Sequence, residues 1–355
     1  MEHRSFMQKI LFTACALGTL AATPILSENQ YPFTLGVGYR HDQVHWDGTY
    51  FSNKELTATG PAGAIQTGIA NEKVKDRYNN LNMLQLTAAL ETVWHHIYFN
   101  GSVNYGYIGQ GHAAHRMNVK NSNFLMRASS ADPLQTTHYS QKGESMGNAF
   151  DAEADIGAQI RLGNTKKAHI VPFVGYMYDY EKIKQTYDAN GGIYHIRLAN
   201  PLTLQMDPKK NNRFYWSGPV FGFFLDYSPN RFLTLKGGYS FHWLSFHQHL
   251  NETFRVYVTN NPTRIIEQDI EAKSHSNDGI GNRGFLAAYY ALTQKWKIGL
   301  DLKYQYFNSH HGKIHGHDKT GIAGLGLAPQ EHTINDKSSA RWWSFQSMFE
   351  VQYVF

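Results

Sequence analysis

The 355-residue sequence has one cysteine, Cys15, few charged residues (17%), and no apolar run of about 20 residues. Each shortage excludes something. A secreted domain held by disulfides needs cysteines in pairs. An α-helical membrane protein needs long apolar spans, and the mean hydropathy of -0.47 is polar. A net charge of +5 on this length makes no general case for nucleic-acid binding. What the chain has instead is 22 tyrosines, 21 phenylalanines and 31 glycines. Disorder goes with few aromatics, so a disordered chain is excluded as well.

Lys9 precedes an apolar run from Ile10 to Leu26 of signal-peptide length, and Ser27 is a small residue followed by polar Glu28-Asn29-Gln30. The expectation is an export signal over 1–27 and a mature chain over 28–355 without cysteine. Apolar sequence on both sides of Cys15 speaks against a lipid attached there.

The last residues carry the most specific pattern. Trp343, Phe345, Ser347, Phe349, Val351, Tyr353 and Phe355 share one parity, and Ser344, Gln346, Met348, Glu350, Gln352 and Val354 the other, which is mostly polar. Period two means a strand, because successive side chains point to opposite faces. The alternation recurs in 97–107, 150–162 and 296–306, with aromatics gathered near the ends of the apolar faces, as interfacial girdles require. The closing aromatic resembles the carboxy-terminal assembly signal of Gram-negative outer-membrane barrels. Phe349, Val351, Tyr353 and Phe355 would carry it, with the barrel-assembly machinery as partner.

Strands are expected near 33–45, 78–93, 95–109, 148–163, 168–184, 213–227, 231–247, 283–293, 295–309 and 341–355. Short turns at Asn164-Thr165-Lys166-Lys167, Ser228-Pro229-Asn230 and Thr293-Gln294 alternate with long connections near 46–77, 110–147, 185–212, 248–282 and 310–340. The fold class is therefore all-β: a transmembrane antiparallel β-barrel of about ten strands with short periplasmic turns and long outer loops. Twelve strands is the alternative, since Phe254-Arg255-Val256-Tyr257-Val258 reads either as a loop extension or as another spanning strand. The stretch Gly284 to Leu292 is apolar on both parities and gives no orientation.

If the apolar parity faces lipid, the other faces the lumen. That places Arg40, Asp42, Glu91, Asp151, Glu153, Asp155, Arg161, Asp179, Glu181, Lys236, His242, Asp301, Lys303 and Glu350 inside. Ten strands lie near the size at which side chains fill a barrel. Two readings follow: opposite charges pairing to knit the interior, or a narrow polar conduit. Mixed signs argue against an ion-selective ring.

Ten strands with five large outer loops resemble the omptin family of outer-membrane proteases and adhesins. Gly175-Tyr176, Gly191-Gly192 with Tyr194, Arg213-Phe214, Gly237-Gly238-Tyr239, Ala288-Tyr289-Tyr290 and the terminal strand carry the likeness over most of the mature chain. The resemblance implies an aspartate pair at the outer end of strand three and an Asp-x-His pair at the outer end of strand seven. Here Met117 to Asn123 holds no acid, and neither His247 nor His249 has an aspartate two residues before it. No catalytic residue is therefore carried over. A substitute site built from Asp151, Glu153 and His242 is the protease alternative. The resemblance also implies lipopolysaccharide contacts, through Tyr176 and Arg213 with Lys182 nearby; guanidinium and ammonium groups pair with phosphate.

Nineteen histidines gather in or near the expected loops, His310, His311, His315 and His317 within one short stretch, and His112 with His115. Imidazole is a transition-metal ligand, but without cysteine or helical spacing these read as solvated polar loops. No P-loop, dinucleotide fingerprint, nucleophile elbow or zinc-protease helix is present. No cofactor or metal is expected. The functional expectation is an outer-membrane barrel acting as a narrow porin or as a surface-exposed adhesion or structural barrel. Its partners would be outer-membrane lipid and a host or surface ligand met by the loops, with no nucleic acid.

Overall fold

A lipid-exposed strand leaves its backbone groups unpaired unless the sheet closes on itself. The computed structural model describes residues 31–355 except 53–57, 61–62, 66–69, 121–136, 164–166, 188–203, 207–208, 259–260 and 323–326. The expected export signal and Gly191, Gly192 and Tyr194 lie outside the described residues. Ten long strands form the barrel. They are β1 (Pro32–Ser52), β2 (Ala70–Trp94), β3 (Ile97–Lys120), β4 (Thr137–Ala158) and β5 (Ala168–Tyr187), then β6 (Lys209–Tyr227), β7 (Leu233–Val258), β8 (Asn261–Ala291), β9 (Trp296–Ile322) and β10 (Leu327–Val354). Each pairs antiparallel with its neighbours, and β1 closes on β10 in register from Pro32↔Val354 to Gly48↔Ser338.

The count of ten stands, and the twelve-strand alternative does not. Phe254 to Val258 continues β7, paired with β8 and flanked by the three-residue strand Leu204–Met206. The expected strands were too short. A tilted spanning strand needs about 9–11 residues, whereas β7 has 26 and β8 has 31. The connections at one end are tight: Trp94 meets Ile97 through His95 and His96, both at positive φ (47° and 75°), as a two-residue hairpin turn requires. The surplus length therefore projects at the opposite end, the one that the sequence reading expects to face outward. Much of what reads as loop in 46–77, 110–147, 248–282 and 310–340 is sheet extending beyond the membrane.

Leu35, Val37, Leu84, Leu86, Phe221, Phe223, Leu300 and Leu302 are exposed on the outside of the barrel and form a hydrocarbon-facing band. Trp94, Tyr227, Tyr290, Trp296 and Phe355 rim it on the side of the tight turns, and Tyr39, Tyr107, Tyr239, Trp243 and Tyr304 rim it on the other. The ambiguous eighth strand is oriented here, with Leu286 and Tyr290 outward and Ala287 and Tyr289 inward. Above the outer rim the ladder is interrupted between Asn79/Asn82, Ile108/His112, His275/Ile280 and Ser309/Gly312. These irregularities switch the parity that faces inward. On β2, for example, Leu81, Met83 and Gln85 are buried below the break, and Asp76 and Tyr78 above it.

Candidate functional site: the filled lumen

Thirteen of the fourteen residues expected in the lumen face inward, and they sort into layers. Arg161 does not. The strand breaks at Gln159, whose N–H donates to the His96 carbonyl at 2.7 Å, and the Ile160–Arg161 segment beyond it is exposed.

Nearest the tight turns, a polar cavity of about 120 Å³ is lined by Glu153, Asp155, Lys236, Asp301, Lys303 and Glu350, among others. Its cations are engaged. Lys236 Nζ lies 2.6 Å from Glu91, Lys303 Nζ lies 3.1 Å from Asp301, and Arg283 makes a bidentate pair with Glu153. Glu350 accepts from Tyr289 Oη at 2.7 Å and Asp155 from Asn100 Nδ2 at 2.9 Å. Gly175 of the Gly175-Tyr176 motif has a steric reason to be glycine, because a Cβ there would lie 2.0 Å from Asp155 Oδ1.

Above this, Arg40 gathers four carboxylates. Its Nε donates to both oxygens of Asp42 (3.0 and 2.8 Å) and its Nη1 to both oxygens of Asp151 (2.8 and 2.7 Å). Asp179 and Glu181 stand 3.5 Å from Nη2. The indole N–H of Trp342 donates to Glu181 at 3.0 Å and Asp42 at 3.2 Å, and the guanidinium sits 5.3 Å over the same ring. A buried charge without such partners costs several kcal/mol, so this geometry is a condition of burying the arginine at all.

The third layer is aromatic. Trp342 packs on Phe307 at 4.5 Å and Trp216 on Phe246 at 4.6 Å, and Trp216 also meets Phe307. These four rings, with Phe214 and Tyr78, are at most 1% exposed. A water-filled passage would leave its lining accessible, so these rings line none.

The outermost inward cluster was not read from the sequence. Lys210 on β6 lies 2.7 Å from Asp76 on β2 and 3.2 Å from Glu252 on β7, while His115 on β3 bonds Asp76 at 2.8 Å. It stands beyond the hydrocarbon-facing band. Burial drives the Asp76 pKa up, but the Lys210 charge and the His115 hydrogen bond outweigh it and bring it down to about 2. Lys210 is held above its ordinary value, its burial outweighed by Asp76 and Glu252. These groups come from four strands and share no local motif, and His115 was grouped with solvated loops. Only their parity above the breaks marks them as inward.

The three residues of the substitute protease site each have other partners, although Glu153 and His242 lie close enough to interact electrostatically. Asp151 is bound to Arg40 and Glu153 to Arg283, while His242 contacts Ser240 Oγ at 2.9 Å and Met177 Sδ at 2.8 Å. Among the described residues no group of three or more His, Cys, Asp or Glu side chains has the geometry to hold a metal. The histidines of 310–317 lie on β9, not in a loop, and His311 and His315 face outward. Of the residues matched to lipopolysaccharide contacts, Tyr176 is 56% exposed, and Arg213 is in register with Lys182 on the same outward face. In the terminal strand Phe349 and Phe355 are exposed outside, with Val351 and Tyr353 half-buried.

Comparison with known proteins places this architecture. Residues 34–355 match the family model described as Pom, Protochlamydia outer membrane protein. Among solved structures, the outer membrane protease OmpT of Escherichia coli aligns with a TM-score of 0.56 at 11% identity, over 94% of this chain and 99% of that one. A mutant of the TodX monoaromatic hydrocarbon channel aligns at 0.32 and 10% identity, over 95% and 92%. No curated protein matches the sequence. The OmpT likeness supports the barrel fold, and the family match supports the outer-membrane location.

Proposed function

The chain belongs to the Pom family of Protochlamydia outer membrane proteins, and from that premise we propose that it is a closed outer-membrane barrel that works at the cell surface. The observation that carries this reading is the aromatic layer of Trp216, Phe246, Phe307 and Trp342 across the lumen. The lumen charges serve to knit the interior. The work of adhesion or surface structure falls to the sheet that projects beyond the outer girdle and to the segments joining its strands. Tyr176, Lys182 and Arg213 form an outward column suited to lipopolysaccharide phosphate. Phe349, Val351, Tyr353 and Phe355 are the strand offered to the barrel-assembly machinery.

A second reading, a narrow conduit for small polar solutes, is favoured by the charged cavity of about 120 Å³ below the aromatic layer. Liposome swelling separates the two. Vesicles carrying the folded barrel are expected to exclude small sugars and amino acids as protein-free vesicles do. Swelling that scales with the amount of barrel would replace the surface reading by the conduit. Shortening the outer segments should abolish attachment to a surface ligand while the barrel still folds, and unchanged attachment would count against adhesion.

A further inference from the structure

The histidines absorbed by no part of this reading lie together on the outside of the projecting sheet. Strand register places His247, His275, Lys313 and Lys337 side by side across β7 to β10. The next row outward holds Arg213, His249, Lys273 and His315 across β6 to β9. Six of the eight are exposed, with Arg213 and His249 half-buried. The rings of His247 and His275 are 5.1 Å apart. Among the described residues the acids adjoining these rows are Glu271, 3.2 Å from His249, and Asp336 beside Lys337; Asp278, at the foot of the patch, is taken by His311.

The patch begins beyond the aromatic girdle: His247 follows Trp243 on β7 and Lys337 precedes Trp343 on β10. That is roughly 10–20 Å further along the strands than the lipid boundary. Five strands at about 4.8 Å spacing give it a width near 20 Å. A two-row basic surface that follows the curved outside of five adjacent strands, beyond the hydrocarbon region, matches a flexible polymer with repeated negative charges. We propose that this face of β6–β10 binds sulfated or carboxylated polysaccharide from outside the cell, and binds it more tightly in acid.

Four fixed charges, Arg213, Lys273, Lys313 and Lys337, act at all physiological pH. Four imidazoles stand among them, and histidine is the side chain whose charge changes between pH 5 and 8. The charged groups that face these rings are Arg213, Lys273, Lys313 and Lys337, with Glu271 beside His249 and Asp336 beside Lys337. Burial and the neighbouring His275 hold His247 below its ordinary value, so it charges late unless an anion bridges the pair. An anionic chain offsets that repulsion, which is why binding and protonation reinforce each other.

The proposal rests on the surface reading but fails separately from it, since solute flux would sink that reading and leave this face untouched. The test is retention of the folded full barrel on immobilised dextran sulfate, with neutral dextran as control. Retention is expected at about pH 7.5 and to rise about tenfold near pH 5.5, as four weak exposed contacts would give. It should fall with added salt. Replacing His247, His249, His275 and His315 by Gln should leave the neutral-pH retention and remove the gain in acid. Replacing Lys273, Lys313 and Lys337 by Gln should remove retention at neutral pH. Heat-modifiable migration on gels confirms that each variant is folded. No retention at either pH, or retention indifferent to both variant sets, would overturn the proposal. So would binding to phosphatidylglycerol nanodiscs but not to dextran sulfate, which would assign the patch to lipid phosphate instead.

Discussion

Arg40 is the side chain whose loss the barrel should tolerate least. Its guanidinium serves Asp42 and Asp151 with paired hydrogen bonds and stands near Asp179 and Glu181, at 1% exposure. Arg40→Met preserves length and packing but leaves four carboxylates without their shared cation. Breaking a buried ion pair by removing one partner costs about 3–5 kcal/mol, a large part of the ~5–15 kcal/mol that holds a typical domain. Arg40→Lys keeps the charge but loses the planar fork, and should cost about 1–3 kcal/mol. Adding Asp42→Asn and Asp151→Asn to Arg40→Met should recover part of the loss, because two of the stranded charges disappear. The assay is urea unfolding of the detergent- or lipid-refolded barrel, followed by tryptophan emission. An Arg40→Met cost under about 1 kcal/mol at neutral pH would refute the reasoning.

Three further outcomes follow from single sites. Gly175→Ala places a methyl group 2.0 Å from Asp155 Oδ1 and 2.5 Å from the Ala154 carbonyl, and should destabilise the barrel by about 1–3 kcal/mol in the same unfolding assay; a neutral effect would contradict the packing. Asp76, held at about 2 in the folded state against an ordinary 3.9, contributes stability present above pH ~4 and lost as pH falls toward 2, worth about 2 kcal/mol. Lys210→Met should flatten that slope, and an unchanged slope would remove Lys210 as its cause. Deleting Phe355, which is exposed and packs only on Tyr353 among the described ring contacts, should cut the fraction of chain reaching the outer membrane. The refolded barrel should unfold within about 1 kcal/mol of the parent, since little buried contact is lost; equal membrane yields would exclude a role in assembly.

The membrane-spanning part of this fold was legible because lipid and lumen impose opposite chemistry on alternate residues. Trp343, Phe345 and Phe349 against Ser344, Gln346 and Glu350 is such a pattern, and it survives in any sequence that must satisfy both sides. Outside the bilayer that contrast disappears. There the outward positions are Lys273, His275 and Lys313 and the inward ones Ala272, Ser274 and Ile314, which reads as loop. The breaks in β2, β3, β8 and β9 also reverse the inward parity, so a pattern followed up from the membrane fails at the rim. The lumen charges were legible one by one, but not their partners, which lie across the barrel from one another. Arg40 and Asp151 are brought together only by closure. The aromatic layer was hidden for a different reason: Trp342 faces in and its neighbour Trp343 faces out, and the apolar parity was assigned to lipid alone.

The closed lumen is tested most directly by planar-bilayer recording of the folded, full-length barrel at high salt. The packing of Trp216, Phe246, Phe307 and Trp342 above the Arg40 cluster predicts a quiet bilayer with the protein demonstrably inserted. Reproducible stepwise conductance from the unmodified chain would contradict it.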